Sequence, residues 1–268
     1  MLIDSHTHLD HCQEDAAVLV ADARSAGVGL IIQSGIDLDR SRQSVQMAER
    51  FPQVFATVGF HPQEAGLLAD EGRAALEGLV LLPRVVGVGE TGFDFFHDEW
   101  PHDVQEDAFL FHIDLARRAG LPVVIHTRDA AVRTLAVLGE HATGLTVILH
   151  CFSLPDRLQE IVERGYYISF AGNVTYKNAP ALQVAAAATP ADRLLFETDA
   201  PWLTPVPLRG RPNRPALVAA VYEFVAGLRG VEREELTSQV EGNVMRAFPR
   251  IAAARAAGGA SPFEGARA

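Results

Sequence analysis

Histidines, one glutamate and one aspartate stand where short apolar runs of this chain stop. His6 and His8 close the first run in Asp4-Ser5-His6-Thr7-His8, Glu90 closes the fourth in Gly89-Glu90-Thr91-Gly92, and His126 and His150 close the fifth and sixth. Asp199 follows the eighth in Glu197-Thr198-Asp199-Ala200-Pro201-Trp202. Residues two apart on an extended strand project to the same side, so His6 and His8 can grip one ion. Imidazoles suit zinc, manganese or iron better than magnesium, and a carboxylate can bridge two ions. One histidine at a strand end is ordinarily packed or solvated. Six ligand-type residues that end five of the apolar runs point instead to a metal site.

Other residues near these ends invite weaker readings. His61, in Gly59-Phe60-His61-Pro62, ends the third run and is a candidate phosphate donor or a support for the ligands. Arg128 follows His126 by two and could steady a phosphate or pair with a nearby carboxylate. Lys177, the single lysine beside 22 arginines, sits just after the seventh run as a solvated loop residue or a phosphate-facing cation. Trp202 and Phe93 could stack on a terminal base or pack over the rim. His11, His97, His102, His112 and His141 fall in helical or polar stretches and read as structural or solvated.

The elements that must position these groups alternate from end to end. Strand candidates are Leu2–His6, Gly29–Ser34, Phe55–Phe60, Val85–Glu90, Pro122–His126, Thr146–His150, Tyr167–Phe170 and Leu194–Glu197. Between them lie helix-period stretches such as Asp103–Ala119, closed by Gly120 before Leu121-Pro122 reopens a strand. Runs such as Val123-Val124-Ile125 read as strands buried on both faces. Eight units of about 33 residues suit an α/β fold, a (β/α)8 TIM-type barrel whose site lies at the C-terminal ends of the strands. A doubly wound open sheet is the alternative. Residues 1–250 form one domain in this reading, and the Ala/Gly-rich stretch 251–268 is a poorly ordered tail.

Composition removes several classes. With 23 basic against 34 acidic side chains the formal charge is −11, which argues against a broad basic face that coats nucleic acid. The lysine count leaves no Walker-type phosphate loop and no carboxylated-lysine metal bridge away from residue 177. No run approaches a membrane span, so no membrane partner is expected. Cys12 and Cys151 cannot build a disulfide framework and read as reduced thiols. With no signal-peptide pattern before Arg24, the expected location is cytoplasmic.

The motifs above, with Gly89-Glu90-Thr91-Gly92-Phe93-Asp94, His126-Thr127-Arg128-Asp129-Ala130, His150-Cys151-Phe152-Ser153 and the near-terminal Gly242-Asn243-Val244, resemble the TatD family of metal-dependent deoxyribonucleases. The resemblance covers roughly residues 1–250 in order. It implies an amidohydrolase-like barrel with two divalent ions per chain (zinc, manganese or magnesium) that hydrolyses phosphodiester bonds of DNA. By that similarity His6, His8 and Asp199 hold one ion, His126 and His150 the other, and Glu90 bridges them. Arg214 stands where the family often has glutamate after Asn213, and Leu154 where many members have glycine; both bear on substrate preference. The expected activity is a DNase acting from strand ends, with Asp199 and Glu90 catalytic and His61, Arg128 and Lys177 on the substrate. So acidic a chain should contact few phosphates and show a shallow salt dependence. The competing readings keep the metal centre and change the bond: an amidohydrolase or deaminase, or an esterase acting on a small molecule or an aminoacyl ester. No obligatory protein partner is implied.

Overall fold

The computed structural model describes residues 1–97 and 99–257. Its eight strands are β1 (Leu2–Thr7), β2 (Val28–Ser34), β3 (Val54–Val58), β4 (Val85–Asp94), β5 (Val123–Arg128), β6 (Val147–Leu149), β7 (Tyr167–Phe170) and β8 (Leu194–Phe196). They run parallel in the order β1 to β8, each paired to the next, as a (β/α)8 barrel requires. Val, Ile and Leu dominate the strands because both faces are buried, one by the barrel interior and one by the helices.

Among the described residues ten α-helices follow or flank the strands: α1 (Ala16–Ser25), α2 (Leu38–Arg50), α3 (Asp70–Leu79), α4 (His102–Ala119), α5 (Ala131–His141), α6 (Leu158–Glu163), α7 (Pro180–Ala188), α8 (Val218–Arg229), α9 (Arg233–Ala247) and α10 (Pro249–Ala257). Local chemistry sets their ends. Asp15 and Asp37 accept backbone N–H bonds at the starts of α1 and α2. Gly120 ends α4 with φ of 63°, a left-handed conformation that costs glycine no Cβ clash. Among the described residues no helix is long and apolar enough to cross a membrane.

Side chains rather than a ladder close the seam between β8 and β1 among the described residues. Asp4 accepts from Thr198 N at 2.8 Å and Thr198 Oγ1 at 2.6 Å, and Tyr222 OH lies 3.2 Å from both N and O of Ile3. Two backbone bonds, Asp199 N to His6 O and His8 N to Ala200 O, finish the seam at its upper end. His6, His8 and Asp199, expected from the sequence as ligands, therefore flank the strand boundary that lacks a ladder among the described residues.

The stretch after residue 250 is helical at first. α10 carries the fully buried Ile251, and Arg255 Nη1 donates to Glu241 at 2.7 Å. Residues 258–268, the rest of the expected tail, lie outside the described residues.

His112 is structural, as its place in α4 implied. It is fully buried, accepts from Phe60 N through Nε2 at 2.9 Å and bonds Ala108 O through Nδ1. Burial pushes its pKa down to about 4. The folded state thus keeps it neutral where an unfolded chain would begin to protonate below about 6.5. The unfolded state then binds more protons between these values, so stability falls as pH drops from about 6.5 towards 4, by up to about 3 kcal/mol. Denaturant midpoints at pH 7 and pH 4.5 should therefore differ less in His112→Gln than in the parent; an equal difference would remove His112 as the cause.

Candidate metal centre

Glu90 is the centre of a knot of imidazoles at the C-terminal end of the barrel. Its Oε2 lies 3.1 Å from His6 Nε2 and 3.5 Å from His8 Nε2, while Oε1 lies 3.0 Å from His150 Nε2 and 3.1 Å from His126 Nδ1. His6 Nε2 and His8 Nε2 are 3.1 Å apart, and Asp199 Oδ1 is 3.5 Å from His8 Nε2. All six residues expected from the sequence as ligands meet here. Gly92 makes the approach of β5 possible: its φ is 138° and a Cβ there would sit 2.1 Å from His126 O. Asp199 has φ of 53°, a left-handed backbone that Asp tolerates better than most residues.

Buried partners fix which imidazole nitrogen faces inward. Asp94 Oδ2, 3.2 Å from His126 Nε2, takes the proton-bearing side and leaves the Nδ1 lone pair towards Glu90. Glu197 Oε1, 3.3 Å from His150 Nδ1, does the same for His150, whose Nε2 faces Glu90. Ser34 Oγ lies 3.0 Å from His6 Nδ1. Such outer carboxylates orient metal-binding imidazoles and raise their basicity. Asp94 and Glu197 carry no role in the sequence analysis. Both lie inside the quoted motifs, two residues beyond a glycine and two before Asp199, but nothing in their spacing names a histidine partner.

Two observations show that the donor set fits divalent cations. Glu90 Oε2 is buried without a hydrogen-bond partner among the described residues, although imidazole nitrogens surround it. Ligand atoms also gather in overlapping threes within 4.8 Å: His6, His8 and Asp199; His6, Glu90 and His150; His61, Glu90 and His126. Electrostatics agree. Burial alone would lower His8, yet Asp199 and Glu90 hold it up at about 10; burial also opposes charge on His150, which Glu90 and Glu197 keep well above its usual value. A field that retains these protons would retain cations in their place, with proton release on binding.

His61 differs from the other imidazoles. Gln63 N donates to its Nδ1 at 3.1 Å, so the neutral ring carries its proton on Nε2, the atom 3.5 Å from Glu90 Oε1. Burial and the neighbouring His126 push its pKa down to about 3, so the ring stays neutral. It is an N–H donor aimed into the site.

Above the knot opens a cavity of about 1250 Å³ that reaches His8, His61, Glu90, His126, His150 and Asp199. Arg128 lines it, stacked 3.8 Å over the exposed Phe96 and bonded to His97 Nε2 at 3.1 Å. Trp202 also lines it, 48% exposed, with His8 and His11 each 5.3 Å from its ring. His11 and His97, read from sequence as structural or solvated, thus border the site.

Phe93 and Lys177, each with two readings in the sequence, both lie off the cavity wall. Phe93 is fully buried against Phe95 and Phe109, so it offers no face to a base; it points into the helical layer, and the exposed ring is Phe96, beyond the strand end. Lys177 is exposed but does not line the cavity, because the turn after β7 carries it past the rim. The chain's single lysine is therefore away from the knot of imidazoles around Glu90. Leu154 lines the cavity, whereas Arg214 binds Glu14 and Asp22 outside it.

The profile of the TatD related DNase family matches residues 3–249. This chain belongs to that family. TatD relatives include the "uncharacterized metal-dependent hydrolase TatD" of Mycobacterium tuberculosis, 39% identical over 92% of this chain and 97% of its own length. The "3'-5' ssDNA/RNA exonuclease TatD" of Citrobacter rodentium is 33% identical over 88% of this chain and 92% of its own. Among solved structures, the TatD homologue YJJV of Escherichia coli K12 superposes with a TM-score of 0.88 at 29% identity, covering 92% of this chain and 98% of the other. The TatD chain described here is accordingly a metal-dependent hydrolase that acts on ester bonds.

Proposed function

We propose that this TatD-family hydrolase carries two divalent ions per chain and removes nucleotides from the ends of DNA strands. The observation that supports this best is the doubled ligand set around one shared carboxylate, Glu90, beneath an open cavity bordered by Arg128 and Trp202. His6, His8 and Asp199 would hold one ion, His126 and His150 the other. Bound there, two cations polarise phosphoryl oxygens and lower the pKa of an attacking water.

The chain's own groups do the rest. Asp199 reaches the cavity and accepts the proton of the attacking water. His61 donates its Nε2–H to a non-bridging phosphoryl oxygen, where negative charge grows in the transition state. Arg128 binds a phosphate on the open side, and Trp202 presents a ring for the adjoining base. A relative named as a 3'-5' exonuclease supports the same class of bond and substrate.

His61→Ala should lower kcat by about 10²–10³, the usual loss for one such donor, and leave metal content unchanged. Loss of an ion from that variant would instead make His61 a ligand. The activity itself is tested with 5′- and 3′-labelled oligonucleotides, metal-free protein and each divalent ion in turn. Mononucleotide release from linear strands, with closed circular single strands resistant, is expected; rapid nicking of circles would make the enzyme an endonuclease.

A further inference from the structure

The loops after β7 and β8 differ in charge from the rest of this acidic chain. Residues 171–191, from the loop after β7 through α7, and residues 200–222, from the loop after β8 into the start of α8, contain no aspartate or glutamate, yet their loops carry Lys177, Arg209, Arg211 and Arg214. Arg214 is used up in ion pairs with Glu14 and Asp22. The other three are exposed, and none has a carboxylate or carbonyl partner among the described residues. That is unusual here, where most arginines are so engaged. Among the described residues the remaining cations without such a partner are Arg128, in the cavity, and Arg24 and Arg50, which end α1 and α2 at the opposite face of the barrel.

The two loops are packed into one surface. Tyr176 OH donates to Thr204 O at 3.1 Å, Val206 N donates to Thr175 Oγ1 at 2.8 Å, and the Arg209 guanidinium lies 4.3 Å over the Tyr176 ring. The same loops supply Asn173, Trp202 and Leu203 to the cavity wall, so the surface continues directly from the metal centre. Cations interleaved with aromatic rings, free of acids and leading out of a phosphodiesterase site, match what a single strand requires: charge for its phosphates and faces for its bases.

We propose that the paired loops after β7 and β8 bind the single-stranded nucleic acid that continues beyond the scissile phosphate, with Lys177, Arg209 and Arg211 on its phosphates and Trp202 and Tyr176 beside its bases. This rests on the nuclease reading above and deepens it. The overall charge of −11 then hides a local polyanion track, and the salt dependence is steeper than that charge implies.

The test compares the parent with the triple variant Lys177→Gln, Arg209→Gln, Arg211→Gln, all exposed positions outside the metal knot. For an oligonucleotide of about 16 residues, kcat/KM should fall roughly ten-fold or more at low salt, and the log–log salt slope should flatten by about 2, at about 0.7 per phosphate contact. A dinucleotide, too short to reach Lys177, Arg209 and Arg211 beyond the cavity wall, should be cleaved equally by both proteins. Fluorescence anisotropy of the same labelled strand, with both proteins also carrying Asp199→Asn, reads binding without turnover, and polyglutamate should compete poorly. Unchanged kcat/KM and slope on the long strand, or equal binding of polyglutamate, overturns the proposal. Absence of any DNA cleavage by the parent would defeat the nuclease reading alone, since the anisotropy arm still reports on the surface.

Discussion

Glu90→Gln is expected to lose at least one divalent ion per chain and to reduce turnover by about 10²–10⁴, while the barrel still folds. The metal loss follows from geometry: one carboxylate faces His6 and His8 through Oε2 and His126 and His150 through Oε1. An amide puts an NH2 donor where a lone pair is needed and removes the charge that holds the surrounding imidazoles' cations. The rate loss follows from the proposed function, in which both ions would share Glu90, and loss of a group that holds such charge costs that order of rate. The fold should survive because apolar strands and helices form the core, with Glu90 at its rim. Metal content after dialysis against a slight excess of ion, with circular dichroism as the fold control, measures both. A full complement of ions in the variant would remove Glu90 as the bridge.

Asp199→Asn is expected to keep the His126–His150 side intact and still lose about 10²–10⁴ in turnover at saturating metal. Asparagine has the shape of aspartate and accepts the left-handed backbone found at this position, φ of 53°, so the loop should be preserved. What it lacks is a proton acceptor and a charge. Asp199 is also the one carboxylate of the trio it forms with His6 and His8, 3.5 Å from His8 Nε2, so affinity at that trio should weaken alongside the rate. Single-turnover rates across a metal titration separate the two effects: weakened binding shifts the midpoint, and loss of the base lowers the plateau. A plateau within a few-fold of the parent would show that another group takes the proton.

Much of this molecule was legible along the chain. The eight apolar runs are the eight strands, with ends displaced by a few residues at most except in β4, which runs on to Asp94. Period and burial explain this, since a strand covered on both faces must be apolar throughout and polar residues then mark where it leaves the core. The same logic gathered His6, His8, Glu90, His126, His150 and Asp199, because parallel strands bring all their C-terminal ends to one face.

Tertiary structure alone decided the rest, and the reason is pairing between distant residues. That Asp94 fixes the ring of His126 depends on the register in which Gly92 lies beside His126 and Asp94 beside Arg128. That Glu197 fixes His150 depends on the approach of the β6 and β8 ends across β7. His61 is a donor and not a lone pair only because the backbone N–H of Gln63 occupies its other nitrogen. Phe93 is buried and Phe96, three residues on, is exposed because side-chain alternation holds inside β4 and ends at Asp94. Spacing in a sequence fixes which residues reach a common face; which atom each presents there is set by a neighbour that the fold supplies from elsewhere in the chain.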